Sequence, residues 1–234
     1  MNILEFKEVS KIYNSDNVGI HGLSFLVKEG EFVALSGPSG SGKTTALNIA
    51  AGLDDYSEGE VLLFEQSLNE MSSEAVLELR RSQVGFIFQS YNLFPVLTVL
   101  ENIEYPLALK DVVQRERVGK AKAMLREVGL EGLENRMPGE LSGGQQQRVA
   151  VARAMVTGPK IIFADEPTAN LDARTAEKLL ELFRNLNETN GTAFIFSSHD
   201  PRVLKLADRI IPLLDGKIMG DGKIMGDGGQ LHKN

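Results

Sequence analysis

The chain has 234 residues and a formal net charge of −7, with 42% hydrophobic residues, 24% charged residues and no Cys. This is ordinary globular composition, long enough for one large or two small domains and for burial of roughly 70% of the unfolded surface. Without Cys there is no disulfide, thiol nucleophile or thiolate zinc site, and the acidic balance argues against a general nucleic-acid surface.

The N-terminus, Met1-Asn2-Ile3-Leu4-Glu5-Phe6-Lys7, meets an acidic residue too early for a signal peptide. No apolar run approaches the ~20 residues of a membrane span, so a membrane role is expected only through a partner. The stretch up to Phe64 shows β-like alternation, and within it Glu31 to Ser36 reads as a buried strand that enters a loop at Gly37-Pro38. Thr45 to Ala51 reads as a helix stopped by Gly52. From Gln89 to Leu141 the pattern is helical without a strong strand signal and reads as an inserted subdomain. It includes a stripe of Val118, Ala121, Leu125 and Val128 closed by Gly129. A helix over Gln146 to Val156, with Val149, Ala152 and Val156 on one face, ends at Gly158-Pro159. Lys160 to Asp165 is a second buried strand. Leu179, Leu182, Phe183 and Leu186 mark a helix stopped at Asn190-Gly191, and Thr192 to Ser198 is a third strand. Arg209 to Leu214 is a fourth, moved toward a sheet edge by Pro212. Apolar strands alternating with amphipathic helices predict an α/β architecture. In the tail, Asp215-Gly216-Lys217-Ile218-Met219-Gly220 is repeated at once as Asp221 to Gly226. That is too short for a solenoid and reads as a tandem duplication in a surface hairpin or tail.

Gly37-Pro38-Ser39-Gly40-Ser41-Gly42-Lys43-Thr44 fits G-x-x-x-x-G-K-[ST] in full, between a buried strand and a helix. Such a loop turns backbone N–H groups onto phosphate oxygens, and the helix that follows adds its positive end. Lys43 is expected to reach the β- and γ-phosphates and Thr44 to ligand Mg²⁺. A dinucleotide fingerprint fails, because Gly40-x-Gly42 requires Gly or Ala where Thr45 stands. The implied ligands are a nucleoside triphosphate and Mg²⁺, with Gly37, Ser39, Gly40, Ser41, Gly42, Lys43, Thr44 and Thr45 as the contacts. Asp165 ends the second buried strand, which suits a metal contact beside the loop, and Glu166, on the other side of the chain, can orient or deprotonate the attacking water. Taken alone, the pair is equally a solvated turn before Pro167.

Leu141-Ser142-Gly143-Gly144-Gln145 precedes a helix, and a Ser with two glycines there is an anion site or simply a capped turn. The whole string, placed between a phosphate loop and a strand ending in Asp-Glu, resembles the signature of the ATP-binding cassette (ABC) ATPases, and the resemblance extends to about Lys217. It implies a P-loop NTPase fold of the ABC ATPase kind, with a mixed β core, an N-terminal antiparallel β region and an inserted helical subdomain. It implies a single domain, with residues 1–88 and 158–234 as the nucleotide-binding core and 89–157 as the helical subdomain.

The roles that follow belong to the resemblance. Tyr13 takes the place of the aromatic residue that stacks on adenine. Gln89 is similar to the glutamine that contacts Mg²⁺ and the attacking water. His199 resembles the histidine that touches the γ-phosphate. Asp172, in Ala169-Asn170-Leu171-Asp172, fits the loop that crosses between subunits and is also a good helix N-cap. Leu141, Ser142, Gly143, Gly144, Gln145 and Asp172 then act in trans. Two chains, a homodimer or a pair of close paralogues, bury two ATPs between the loop of one and the signature of the other.

The segment Ser90 to Leu107 and the triplet Gly52-Leu53-Asp54 are similar to the lipoprotein-release and macrolide-export group (LolD- and MacB-type ATPases). This implies a membrane permease partner seated near Gln89 to Leu107, a place on the inner face of the cell membrane, and no nucleic acid. The competing readings are soluble ABC ATPases of DNA maintenance or translation, which carry coiled coils, zinc modules or linked cassettes that this chain lacks. A small-molecule kinase would not need the signature. An inactive regulatory module would normally lose Lys43, Glu166 or His199.

Overall fold

A computed structural model describes residues 1–14 and 17–220. In chain order the first half holds β1 (Asn2–Asn14), β2 (Asn17–Lys28), β3 (Phe32–Ser36), α1 (Lys43–Ala50), β4 (Glu58–Leu63), β5 (Gln66–Ser67), α2 (Ser73–Gln83) and β6 (Val84–Ile87). The second half holds α3 (Val99–Ala108), α4 (Gln114–Glu127), a 3-10 turn at Pro138–Glu140, α5 (Gly143–Met155), β7 (Ile161–Asp165), α6 (Ala173–Asn190), β8 (Ala193–Ser197), α7 (Pro201–Leu206), β9 (Arg209–Leu214) and β10 (Lys217–Ile218). Among the described residues no helix is long and apolar enough to cross a membrane.

Two sheets organise these elements. An antiparallel sheet has the order β2-β1-β4-β5, and a second has the order β10-β9-β3-β8-β7-β6, parallel except for β10. The central parallel strands β3, β7 and β8 are covered on both faces, which is why their sequences are near-continuous apolar runs. Their alternate side chains feed two cores. Phe32, Ala34, Ile162, Ala164, Phe194 and Phe196 meet the helices α3 to α6, whereas Val33, Leu35, Ile161, Phe163, Ala193 and Ile195 meet α1 and the antiparallel sheet. On the first side Phe183 of α6 packs edge-on to Phe196 at 5.3 Å, and Phe32 stacks on Phe196 at 4.5 Å. Each such buried ring contributes about 1.5–3 kcal/mol. On the second side Phe6 of β1 stacks on Phe25 of β2 at 4.6 Å.

The fold is the expected α/β architecture with an N-terminal antiparallel sheet and a helical subdomain. Its local differences from the sequence expectations have identifiable causes. α1 starts at Lys43 rather than Thr45, because Gly42 at φ 96° turns the chain straight into the helix. α5 starts at Gly143 rather than Gln146, because Ser142 and Gln145 form a reciprocal capping box that draws both glycines into the first turn. β9 is one strand in from the edge, closed by the two-residue β10, and the Pro212 carbonyl accepts from Met219 N–H at 2.8 Å. The first copy of the repeated hexapeptide forms the β9–β10 turn and β10 itself, and the second copy lies outside the described residues. Helix α6 ends as expected, at Gly191 with φ 65°.

Candidate active site

The C-terminal ends of β3, β7 and β8 converge on one place, where an open parallel sheet binds ligands. From β3 the chain enters residues 37–42 and then α1. Gly42 is required there, because a Cβ at this position would lie 2.5 Å from the Gly19 carbonyl oxygen. No side chain caps α1, so its first-turn amides stay available to an anion. Lys43 is only 7% exposed, and its Nζ donates to the Gly37 and Pro38 carbonyls at 2.8 and 2.9 Å, which holds the ammonium at the loop mouth.

From β7 come the two carboxylates. Asp165 accepts from Thr44 Oγ1 at 3.0 and 3.2 Å and from the Ser197 hydroxyl of β8. Glu166 turns away with φ 43°, a backbone conformation uncommon for this residue type. Its N–H donates to the Ser197 carbonyl at 3.0 Å. Its Oε1 lies 2.9 Å from His199 Nδ1 and 4.0 Å from Lys43 Nζ. Just beyond His199, Asp200 accepts from Arg202 and from Thr168 Oγ1, the latter at 3.0 Å, so the segments after β7 and β8 are tied together. The hydrogen-bonded Arg202 guanidinium, the largest influence, holds the Asp200 carboxyl down to about 2.

Tyr13, Lys43, Thr44, Gln89, Glu166 and His199 all line one cavity of about 570 Å³. Gln89 follows β6, and its carbonyl accepts from Asn170 Nδ2 at 3.1 Å. Gly37, Ser39, Gly40, Gly42 and Thr45 line the same cavity. Ser41 does not, and its buried Oγ has no partner among the described residues. Asp165 stands behind Thr44. The donor set suits a triphosphate, with an ammonium and uncapped helix amides for phosphate oxygens. It also suits Mg²⁺, for which Thr44 and Asp165 offer hard oxygen donors. Among the described residues no cluster of three or more His, Asp or Glu side chains forms an all-protein metal cage.

The second expected group lies elsewhere. None of Leu141, Ser142, Gly143, Gly144, Gln145 or Asp172 borders this cavity. Ser142 Oγ accepts from Gln145 N–H at 3.3 Å, while Gln145 Oε1 accepts from Ser142 N–H at 2.9 Å. Asp172 caps α6, accepting from Thr175 N–H at 3.0 Å and from the Thr175 hydroxyl at 2.6 Å. Sequence reasoning gave no site role to Gly19 or Ala169, which line the cavity, or to Ser197, whose hydroxyl donates to Asp165.

Past Gln89 the chain bends through Tyr91 and Asn92, both with positive φ, whose carbonyls accept from Arg153 of α5 at 2.9 and 2.6 Å. Buried Asn102 then fixes the backbone of Phe94, Leu97 and Thr98. Beside this loop Leu53, Leu77, Phe94 and Tyr105 remain partly exposed around a second cavity of about 590 Å³.

Comparison with known proteins agrees with this geometry. Residues 20–169 match the family model described as ABC transporter. The ABC transporter ATP-binding protein MJ0796 of Methanocaldococcus jannaschii is 43% identical over 223 residues, 92% of this chain and 95% of that one. The ABC transporter ATP-binding protein YbbA of Escherichia coli K12 is 46% identical over 217 residues, 90% of this chain and 95% of that one. Among solved structures, the dimeric post-hydrolysis state of MJ0796 bound to ADP and Pi aligns with TM-score 0.88 and 40% identity, over 96% of this chain and all (100%) of that one. The structure of cbiO1 from Clostridium perfringens, described as part of the ABC transporter complex cbiONQ, aligns with TM-score 0.86 and 28% identity, over 94% of this chain and 88% of that one. On its family match, its relatives and its fold, the chain belongs to the ATP-binding proteins of the ABC transporter family.

Proposed function

We propose that this chain binds and hydrolyses ATP as a transporter subunit: two copies close head to tail on two Mg-ATP, and closure moves a separate membrane permease. The observation that carries this reading is a separation. The phosphate loop, Glu166 and His199 share one cavity, while Ser142 and the N-terminus of α5 lie outside it in the same chain. A second copy brings that helix end to the γ-phosphate, where charge develops in transfer. The dimeric structures of the relative MJ0796, one bound to ADP and Pi, support the pairing.

Within the closed site Lys43 and the first-turn amides of α1 hold the phosphates. Thr44, Asp165 and Gln89 are the residues that would hold Mg²⁺, which when bound neutralises charge on the β- and γ-phosphates. Glu166 takes a proton from the water that attacks the γ-phosphorus as the bond to ADP breaks. His199 orients that carboxylate from 2.9 Å. Tyr13 stacks on the nucleobase.

The finer reading is a subunit of lipoprotein-release or macrolide- and peptide-export type on the inner face of the cell membrane. Its permease seats on the apolar groove around Phe94 and Tyr105. The segment Ser90 to Leu107 and the triplet Gly52-Leu53-Asp54 support it, and the helical subdomain, residues 89–157, supplies one side of the groove, with Leu53, Leu77 and Phe86 on the other. The test uses tagged Glu166→Gln, loaded with Mg-ATP in native membranes and purified after gentle solubilisation. A trapped dimer with a few-span permease carrying a large extracytoplasmic domain is expected. A many-span permease with a binding protein would overturn the export type. A variant that stays monomeric at saturating Mg-ATP, by light scattering, would overturn the pairing.

A further inference from the structure

Tyr13 is 49% exposed near the end of β1, where an unrestrained aromatic side chain samples several rotamers. Three side chains restrain it, and a glycine makes room for it. Its hydroxyl donates to Asp54 Oδ2 at 3.2 Å and lies 3.4 Å from Thr45 Oγ1. Lys11, two residues earlier on the same strand, places its Nζ over the ring, 5.2 Å from the centroid. Gly19 completes the set, because a Cβ there would lie 2.8 Å from the ring carbon Cε2.

Lys11 and Asp54 are themselves joined. Nζ donates to Asp54 Oδ1 at 2.8 Å and to the Asp55 carbonyl at 2.7 Å, and the Lys11 and Asp54 side chains are only 13% and 31% exposed. Burial alone would raise the Asp54 carboxyl, but hydrogen bonding and charge from Lys11 outweigh it and hold the group below its usual range. Asp54 follows the C-terminal end of α1, where Leu53 N–H donates to the Asn48 carbonyl at 2.8 Å, and Thr45 stands in the first turn of that helix. Both partners of the Tyr13 hydroxyl therefore belong to α1 or its exit, the helix that carries Lys43 and Thr44.

We infer that Asp54 and Lys11 are positioning residues that lock the Tyr13 ring at a fixed place relative to the phosphate loop, so that base and phosphates are bound as one rigid unit. The inference rests on the reading of Tyr13 as the base-stacking residue and adds what holds that ring in place. A ring already fixed before binding spares the ordering cost that a free side chain would levy on affinity. The effect is confined to ligands that have a base.

The experiment compares Mg-ATP with inorganic tripolyphosphate, which has no base, by displacement of a fluorescent ATP analogue from the full chain. For Asp54→Ala the ATP dissociation constant is expected to rise about three- to tenfold, as for a partly exposed charged hydrogen bond, with tripolyphosphate changed less than about twofold. Tyr13→Phe keeps the ring, loses the hydroxyl and is expected to give a similar shift for ATP. Tyr13→Ala is expected to weaken ATP further, and adding Asp54→Ala to it should have no additional effect. Unchanged ATP affinity in Asp54→Ala and Tyr13→Phe, with a loss in Tyr13→Ala, would overturn the inference and leave the stacking reading intact. Unchanged affinity in Tyr13→Ala would overturn the stacking reading itself. Equal losses for ATP and tripolyphosphate in Asp54→Ala would place Asp54 in the support of the phosphate loop instead.

Discussion

At the scale of single residues, the candidate site is held by groups adjacent to those that line its cavity. Asp200 is the clearest. Its carboxylate caps α7 through Arg202 N–H at 2.9 Å, binds the Arg202 guanidinium and accepts from Thr168, two residues past Glu166. The carboxyl is held at about 2, below the ordinary 3.8, chiefly by the hydrogen bond from Arg202. A depressed carboxyl contributes stability that is fully present above its unfolded value and is lost as pH falls through the folded value. Thermal unfolding should therefore show a fall in Tm from pH 4 to pH 2 that is shallower in Asp200→Asn than in the parent chain. At pH 7 the variant should lose about 1–2 kcal/mol, a figure reduced for the partial exposure of Arg202. Identical acid slopes in the two proteins would show that this carboxylate contributes nothing to folding.

At the scale of elements, the N-terminus of α5 combines two demands. Ser142 closes the capping box with Gln145, so its removal has a cost to the helix apart from any ligand. Ser142→Ala is expected to cost about 1 kcal/mol, a shift of roughly 2–4 °C in Tm for a chain of this size. Ser142→Thr should keep the cap and most of the stability. Calorimetry on the isolated chain checks this, and equal Tm values for the Ala and parent proteins would remove the cap from the account. What was legible in the sequence follows the same physics. β3, β7 and β8 were readable because strands covered on both faces must be apolar throughout, and α6 because its buried stripe ends at a glycine. The phosphate loop was readable from its motif, Asp165 and Glu166 from their place at the end of a buried strand, and His199 only through the family resemblance. α2 was not, since Leu79 is its only buried residue and the apolar stripe it shares with Val76 is only one turn long. α7 was hidden by its length of six residues. The early start of α5 was hidden because glycines suggest a turn until the capping box around them is seen. Ser197 was missed because its bond to Asp165 joins two strands, a relation that exists only after the sheet forms.

At the scale of the whole molecule, the two half-sites make a claim about symmetry. In the proposed pair, two identical chains related by a two-fold axis would set the loop of each against the signature of the other, so that the two sites would be equivalent and each would draw on both chains. Two variants with opposite lesions then behave in a way that no single-chain site can. Glu166→Gln impairs the water-activating half and leaves the signature whole. Ser142→Arg fills the signature half with a bulky cation and leaves Glu166 whole. Each homodimer carries two defective sites and should turn over at least about a hundredfold more slowly than the parent, the scale of losing a general base. In a mixed dimer one site receives both lesions and the other receives neither. Mixing the two proteins before adding Mg-ATP should therefore restore phosphate release. With random pairing half the dimers are mixed and each has one sound site of two, so recovery should approach about one quarter of the parent rate if sites act independently. A mixed dimer, isolated by two different tags, that releases no phosphate even in a single turnover would mean that no sound site forms between the chains and that the head-to-tail arrangement is wrong.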